Sequence, residues 1–215
     1  MTNSNYRDYG YTSHESIAGE AGRDLAEAFV ELVSAYPVGA SVCDIGCGNG
    51  YLAAQLAKRG YSVTGFDASE TGIAIARENY GADNARFFRA ELDTDSVALI
   101  PGAGAFQVAV SSDVIEHLYR PSALARAAAR LLEPHGVLLV GTPYHGYLKN
   151  VLISALGFWD RHHGVHWDGG HIKFFSTSTL RELLEANGFA VEGFRFDGRV
   201  RWLWKNMICI ARRNI

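Results

Sequence analysis

Short apolar runs alternate with amphipathic stretches along most of the chain, and this rhythm predicts the elements. Ile17, Leu25, Phe29, Leu32 and Val33 recur at helical spacing and predict a helix over Glu15–Ala35, ended by Pro37 and Gly39. Ser41–Ile45 reads as a buried strand, Tyr51–Lys58 as a helix and Tyr61–Asp67 as a second strand. Ser69 is placed to cap a helix through Asn79, with Ile73, Ile75 and Ala76 facing inward. Ala85–Arg89 and Phe106–Ser111 follow as strands. A helix beginning near Val114 is interrupted or restarted at Pro121, and Ser122–Leu132 is strongly helical. Pro134-His135-Gly136 turns into a strand over Val137–Thr142. Phe189–Phe196 and Trp204–Arg212 then follow one another without a helix, which predicts an antiparallel hairpin. Strand–helix alternation predicts an α/β fold with a doubly wound, Rossmann-like, mostly parallel sheet over one domain, residues 1–215. Residues 143–175 break the rhythm as a long insertion rich in aromatics, glycine and histidine. Residues 1–36 form an N-terminal lid and helix, with Tyr6, Tyr9 and Tyr11 in its polar start.

The loop after the first strand carries the strongest chemistry. Asp44-Ile45-Gly46-Cys47-Gly48-Asn49-Gly50 alternates three glycines where a strand meets a helix N-terminus, so the backbone can approach a ligand closely. Asp67 closes the next strand, where a carboxylate can accept both hydroxyls of a ribose. The spacing is GxGxG rather than GxGxxG, and Asp44 would repel a pyrophosphate. A sulfonium cofactor with an ammonium group meets no such repulsion. The loop resembles motif I of class I S-adenosylmethionine (SAM)-dependent methyltransferases. That resemblance implies a seven-stranded sheet with an antiparallel end and a SAM grip built from Asp44, Gly46, Cys47, Gly48 and Asp67. It also places Ala68 beside the adenine and assigns Glu91 to the adenine amino group, with Asp93 and Asp95 competing for that role.

A second cluster follows the fourth strand. If a helix starts at Asp113, then Asp113, Glu116 and His117 share one face at i, i+3, i+4. Two carboxylates and an imidazole are a credible divalent site for Mg²⁺, Mn²⁺, Zn²⁺ or Fe²⁺, with His171 of the insertion as a fourth ligand. Plainer readings stand beside this one. In these Asp113 caps the helix, Glu116 favours its dipole, and His117 is a general base without metal or a packed histidine. The segment resembles ubiquinone-biosynthesis O-methyltransferases, and also the small-RNA 3′-terminal 2′-O-methyltransferases with their ExxEH segment and later histidine. Thr142–Asn150, Gly170–Ser176 and Trp202–Met207 resemble a bacterial ubiquinone-type branch of small-molecule O-methyltransferases. The resemblance implies metal-assisted O-methylation of a small catechol- or quinol-like acceptor, with His117 and Asp113 catalytic. The alternatives are methylation of a short RNA end and a SAM-binding protein without catalysis.

The remaining signals refine this picture. His162-His163-Gly164-Val165-His166 looks like a zinc motif but is read as a solvated loop at the substrate mouth, since no fixed ligand spacing supports it. Tyr144, Tyr147, Phe158, Trp159 and Trp167 line an apolar acceptor pocket or simply pack the insertion. Tyr11 and His14 either close over the cofactor or lie on the surface of a helix start. Arg195, Arg199, Arg201, Lys205, Arg212 and Arg213 against Asp197 read as a protected sheet edge, or as an anion site. A net charge of −3 argues against long nucleic acid as partner. Cys43, Cys47 and Cys209 form no CxxC pair, which fits the reducing cytoplasm, and no apolar run is long enough to span a membrane.

Overall fold

The computed structural model describes residues 10–14, 20–92, 94–164, 166, 169–198 and 200–215. The expected helix start at Glu15 and Ile17, and Tyr6, Tyr9, Asp93, Trp167 and Arg199, lie outside the described residues.

Seven strands form one sheet in the order β3-β2-β1-β4-β5-β7-β6. They are β1 Ser41–Ile45, β2 Ser62–Asp67, β3 Ala85–Arg89, β4 Phe106–Ser112, β5 Leu132–Pro143, β6 Phe189–Asp197 and β7 Asn206–Arg213. The first five are parallel, and β7 inserts antiparallel between β5 and β6. The anticipated doubly wound sheet with an antiparallel end is therefore what the chain forms. β5 begins earlier than expected, at Leu132, and its register with β4 shifts around a turn in which His135 has φ +64°.

Alternating side chains in these strands feed two apolar layers. Val42, Val63, Val108 and Leu139 pack on one face against α1 (Glu20–Val33), α2 (Tyr51–Lys58) and α3 (Glu70–Tyr80). Cys43, Phe66, Ala109 and Leu138 pack on the other against α4 (Thr94–Ala98), α5 (Ser122–Leu131) and α8 (Thr177–Glu185). Strands buried on both faces read as the near-continuous apolar runs seen in the sequence. Ser69 caps α3 as expected, its hydroxyl accepting from Gly72 N–H at 3.0 Å. α4 and α8 are helices beyond the expected set, and α8 carries a Ser176/Thr179 capping box.

Two other expectations are corrected. No helix starts at Asp113. That residue sits at φ +54°, outside a single 3₁₀ turn over Ile115–His117, and the helix proper restarts at Ser122. A short carboxamide or carboxylate side chain tolerates the left-handed conformation better than most, which is why the chain can break here. The insertion is also not one loop. It contains α6 (Tyr147–Ala155) and α7 (Trp159–His163), so His162 and His163 lie on a helix. α6 is inverted: it buries Lys149, whose Nζ donates to the carbonyls of Tyr144 and Trp204, and exposes Leu148, Val151 and Leu152. No described helix is long and apolar enough to cross a membrane.

The sheet reverses direction of growth between β1 and β4, since successive strands are added outward on opposite sides of this pair. In open α/β sheets the crevice at such a reversal, at the carboxyl ends of the strands, is where ligands bind. The Gly46–Gly50 loop leaves β1 there, and the Asp113 loop leaves β4 there.

Gly50 N-caps α2 at φ +81°, and a Cβ on it would lie 2.8 Å from Ala76 Cβ and 2.9 Å from Phe87. Gly50→Ala is therefore expected to destabilise the fold by about 1–3 kcal/mol, read as a lowered midpoint in urea with unchanged slope.

Candidate active site

The cofactor loop is drawn onto β2 by its own backbone. Gly46 and Cys47 N–H groups donate to the Phe66 carbonyl at 2.9 and 3.0 Å, and Gly50 N–H to the Cys47 carbonyl at 2.8 Å. The Asp67 carboxylate accepts Gly48 N–H at 2.9 Å and Ser69 N–H at 2.7 Å, so the expected ribose acceptor also fixes the loop. Gly46 and Gly48 both have positive φ. A Cβ on Gly46 would lie 2.5 Å from Val114, and one on Gly48 would lie 2.5 Å from the Tyr11 hydroxyl.

Asp44 is buried on β1. Its carboxylate takes a hydrogen bond from the Ala53 backbone N–H at the start of α2, while Oδ2 is buried without a partner. Burial first, and the charge of Asp67 second, push its pKa up to about 7. A buried carboxylate with one orphaned oxygen is suited to a cationic ligand, and a Cβ-free cradle beside it suits SAM. Cys47 is buried, and burial raises its thiol pKa, so it lines the loop as a neutral group. Ala68 accepts a 3.3 Å hydrogen bond from Arg89 through its carbonyl. Glu91 is exposed just beyond β3, and Asp95 is exposed on α4.

The N-terminal segment lies across this loop. Tyr11 N–H donates to Thr71 Oγ1 at 3.0 Å, Asn49 Nδ2 donates to the Ser13 carbonyl at 2.7 Å, and Tyr80 donates to the His14 carbonyl at 2.6 Å. Asn49 is buried, and its side chain also accepts from Tyr51 N–H at 3.3 Å. Nothing but its place between two glycines marked Asn49 in the sequence.

Across the crevice, Glu116, His117 and His171 each offer a donor atom within 4.8 Å of the others. Glu116 is only 1% exposed. Its Oε2 accepts from Thr142 on β5 at 3.0 Å, and its Oε1 is buried without a hydrogen-bond partner. His171 Nε2 stands 3.9 Å from that Oε1, too far for a hydrogen bond. Burial and the neighbouring His117 lower the His171 pKa to about 4, so the two do not form an ion pair near neutral pH. His117 is also shifted down by burial. Its Nδ1 lies 2.8 Å from the Gly169 carbonyl, which can only accept, so the proton is on Nδ1 and Nε2 is the basic nitrogen. The two imidazoles meet edge to face at 4.9 Å.

The insertion reaches the crevice through Glu116 itself, whose backbone carbonyl accepts Ile172 N–H at 2.9 Å and Lys173 N–H at 3.0 Å. Asp113 is one step removed. It is not among the three clustered donors, but it lies near enough to raise the pKa of Glu116. Burial raises the pKa of both, and the nearby charge of Asp113 raises that of Glu116 further. A buried carboxyl with one orphaned oxygen, beside two neutral imidazoles and near a second, half-buried carboxyl, forms a donor set that fits a divalent cation. Thr142 and Gly169 were missed by sequence reasoning, because they act only after β5 and the insertion close on Glu116.

The remaining candidates scatter. Tyr144 packs edge-on against Phe196 and Trp204 at 5.5 and 5.4 Å, while Tyr147, Phe158 and Trp159 are exposed on the insertion. Among the C-terminal basic residues, Arg195 is engaged by Glu31 and Arg212 by Glu192.

The methyltransferase-domain family matches this chain over residues 17–192. A ubiquinone biosynthesis O-methyltransferase of Roseobacter denitrificans is 32% identical over 198 residues, 88% of this chain and 74% of that protein. One of Caulobacter vibrioides is 32% identical over 159 residues, and the chain spans only 61% of its length. Among solved structures, magnesium protoporphyrin IX methyltransferase of Synechocystis with bound SAH superposes with a TM-score of 0.68 at 22% identity, covering 96% of this chain and 91% of that one. The [4+2]-cyclase SpnF superposes with a TM-score of 0.69 at 19% identity, covering 99% of this chain and 89% of that one. The chain belongs to the methyltransferase-domain family.

Proposed function

We propose that the chain transfers a methyl group to a hydroxyl of a small acceptor with adjacent oxygens, a catechol or quinol, assisted by a divalent metal held by Glu116, His117 and His171, with Asp113 in support. The observation that carries this reading is the orphaned Glu116 Oε1, buried at the sheet reversal within 4.8 Å of two imidazole donors. The names of the relatives as ubiquinone biosynthesis O-methyltransferases support the acceptor class.

SAM supplies an electrophilic methyl on its sulfonium. A bound divalent ion acts as a Lewis acid that lowers the pKa of a coordinated hydroxyl. The chain's own residues do the rest. Asp44 offers its orphaned oxygen to a cationic group, and Asp67 offers a carboxylate to the ribose. Thr142 holds Glu116 Oε2, so that Oε1 stays aimed at the imidazoles. Gly169 sets the His117 tautomer, which leaves Nε2 as the atom that binds metal or takes the acceptor proton. Ile172 and Lys173, pinned on the Glu116 carbonyl, hold His171 beside the Glu116 carboxyl.

Glu116→Gln is expected to lower kcat with a catechol acceptor by at least about a hundredfold while leaving SAH affinity within about twofold. Unchanged turnover, or full activity of chelator-treated protein, would remove the metal from the account. Methylation of a short RNA 3′ end but of no catechol would overturn the acceptor class. Asp67→Asn is expected to weaken SAH binding by about ten- to a hundredfold in calorimetry. The Asp44 pKa of about 7 sets a pH dependence. A cationic ligand favours the carboxylate, so the complex binds fewer protons than the free protein. SAH affinity should then rise from about pH 5.5 to about pH 7, and Asp44→Asn should flatten the slope.

A further inference from the structure

Imidazoles gather at a second place, on the insertion. His145 follows β5, with its backbone N–H donating to the Phe175 carbonyl at 3.0 Å and its side chain buried. Asn150 Nδ2 donates to the His145 carbonyl at 3.4 Å. α7 brings His162 and His163 against it. Ring centroids are 5.0 Å apart for His162 and His163, 5.6 Å for His145 and His163, and 6.0 Å for His145 and His162. Three imidazoles on a tetrahedral zinc, at Zn–N of about 2.0–2.1 Å, hold their ring centres roughly 5 Å apart. His163 Nε2 is buried without a hydrogen-bond partner, while Trp159 and Phe174 close on the ring at 4.2 and 4.7 Å. A buried orphan nitrogen among rings is destabilising until something supplies it with a partner.

We propose that His145, His162 and His163 form a second divalent-metal site, for a borderline transition ion such as Zn²⁺, which fastens α7 to the turn after β5. Three nitrogen donors without a carboxylate suit Zn²⁺, Ni²⁺ or Cu²⁺ and not Mg²⁺ or Mn²⁺. Asn150, bonded to the His145 carbonyl, steadies the turn that carries that ring. Among the described residues only Glu116, His117 and His171 have three donors already within 4.8 Å, so this second trio closes by a rotamer change. His162, exposed on the last turn of α7 and meeting the other two rings edge to face, is the side chain with room to make it. A five-residue helix has little stability of its own, so a metal clip would hold it in place. No residue is shared with the first site.

The test is Zn²⁺ titration into chelator-stripped full-length chain by calorimetry, with circular dichroism to confirm folding. Wild type should bind two equivalents. His162→Ala and His163→Ala should each keep one and weaken the other at least about tenfold. Glu116→Gln should keep the equivalent that those two variants lose. Because His162 is exposed, His162→Ala remains informative even if His163→Ala misfolds. A single wild-type equivalent lost in Glu116→Gln, or two equivalents retained in His162→Ala, overturns the proposal. A single equivalent lost in His162→Ala but kept in Glu116→Gln supports this site and removes the first.

Discussion

Two carboxyl groups buried on either side of one sheet crevice govern this molecule. Asp44 on β1 and Glu116 after β4 each have one oxygen satisfied by the protein and one left without a partner. A buried charge left unpaired is costly, so both groups are pushed toward the protonated form. Ligands of positive charge reverse that shift. The sheet order brings these two strands side by side, which turns two separate penalties into one binding crevice. A sulfonium cofactor on one wall and a divalent ion on the other would satisfy what the folded chain leaves open.

Much of this was legible in the sequence because it depends on local rules. Three alternating glycines between an apolar run and a helix leave few other readings, and Asp67 closes the next run at the place a ribose needs. The strands were legible because both faces are buried, as Val42 and Cys43 show by feeding opposite layers. The segment after β4 was harder. Its helical spacing suggested one face for Asp113, Glu116 and His117, but the left-handed Asp113 separates the first from the others. Glu116 and His117 come together with His171 through the insertion, a contact with no local signature. His145 was invisible for the same reason, and so was the burial of Lys149 on α6, where helical patterning would have put it in water.

The fold is shared by proteins of different chemistry. A methyltransferase and a [4+2]-cyclase superpose on this chain almost equally well, at TM-scores of 0.68 and 0.69. The sheet and its crevice are therefore a platform, and the chemistry rests on side chains at the strand ends. In this chain those side chains are unusually rich in imidazole. Five of them, at 145, 162, 163, 166 and 171, lie within residues 143–175.

The most direct test is a crystal structure of the chain with SAH and Mn²⁺, with diffraction recorded at the manganese edge. The account predicts an anomalous peak bonded to Glu116 Oε1 and to one nitrogen each of His117 and His171, at about 2.0–2.3 Å. Ordered SAH in the glycine cradle with no anomalous density beside Glu116 would contradict it, and would leave His117 as a base acting without metal.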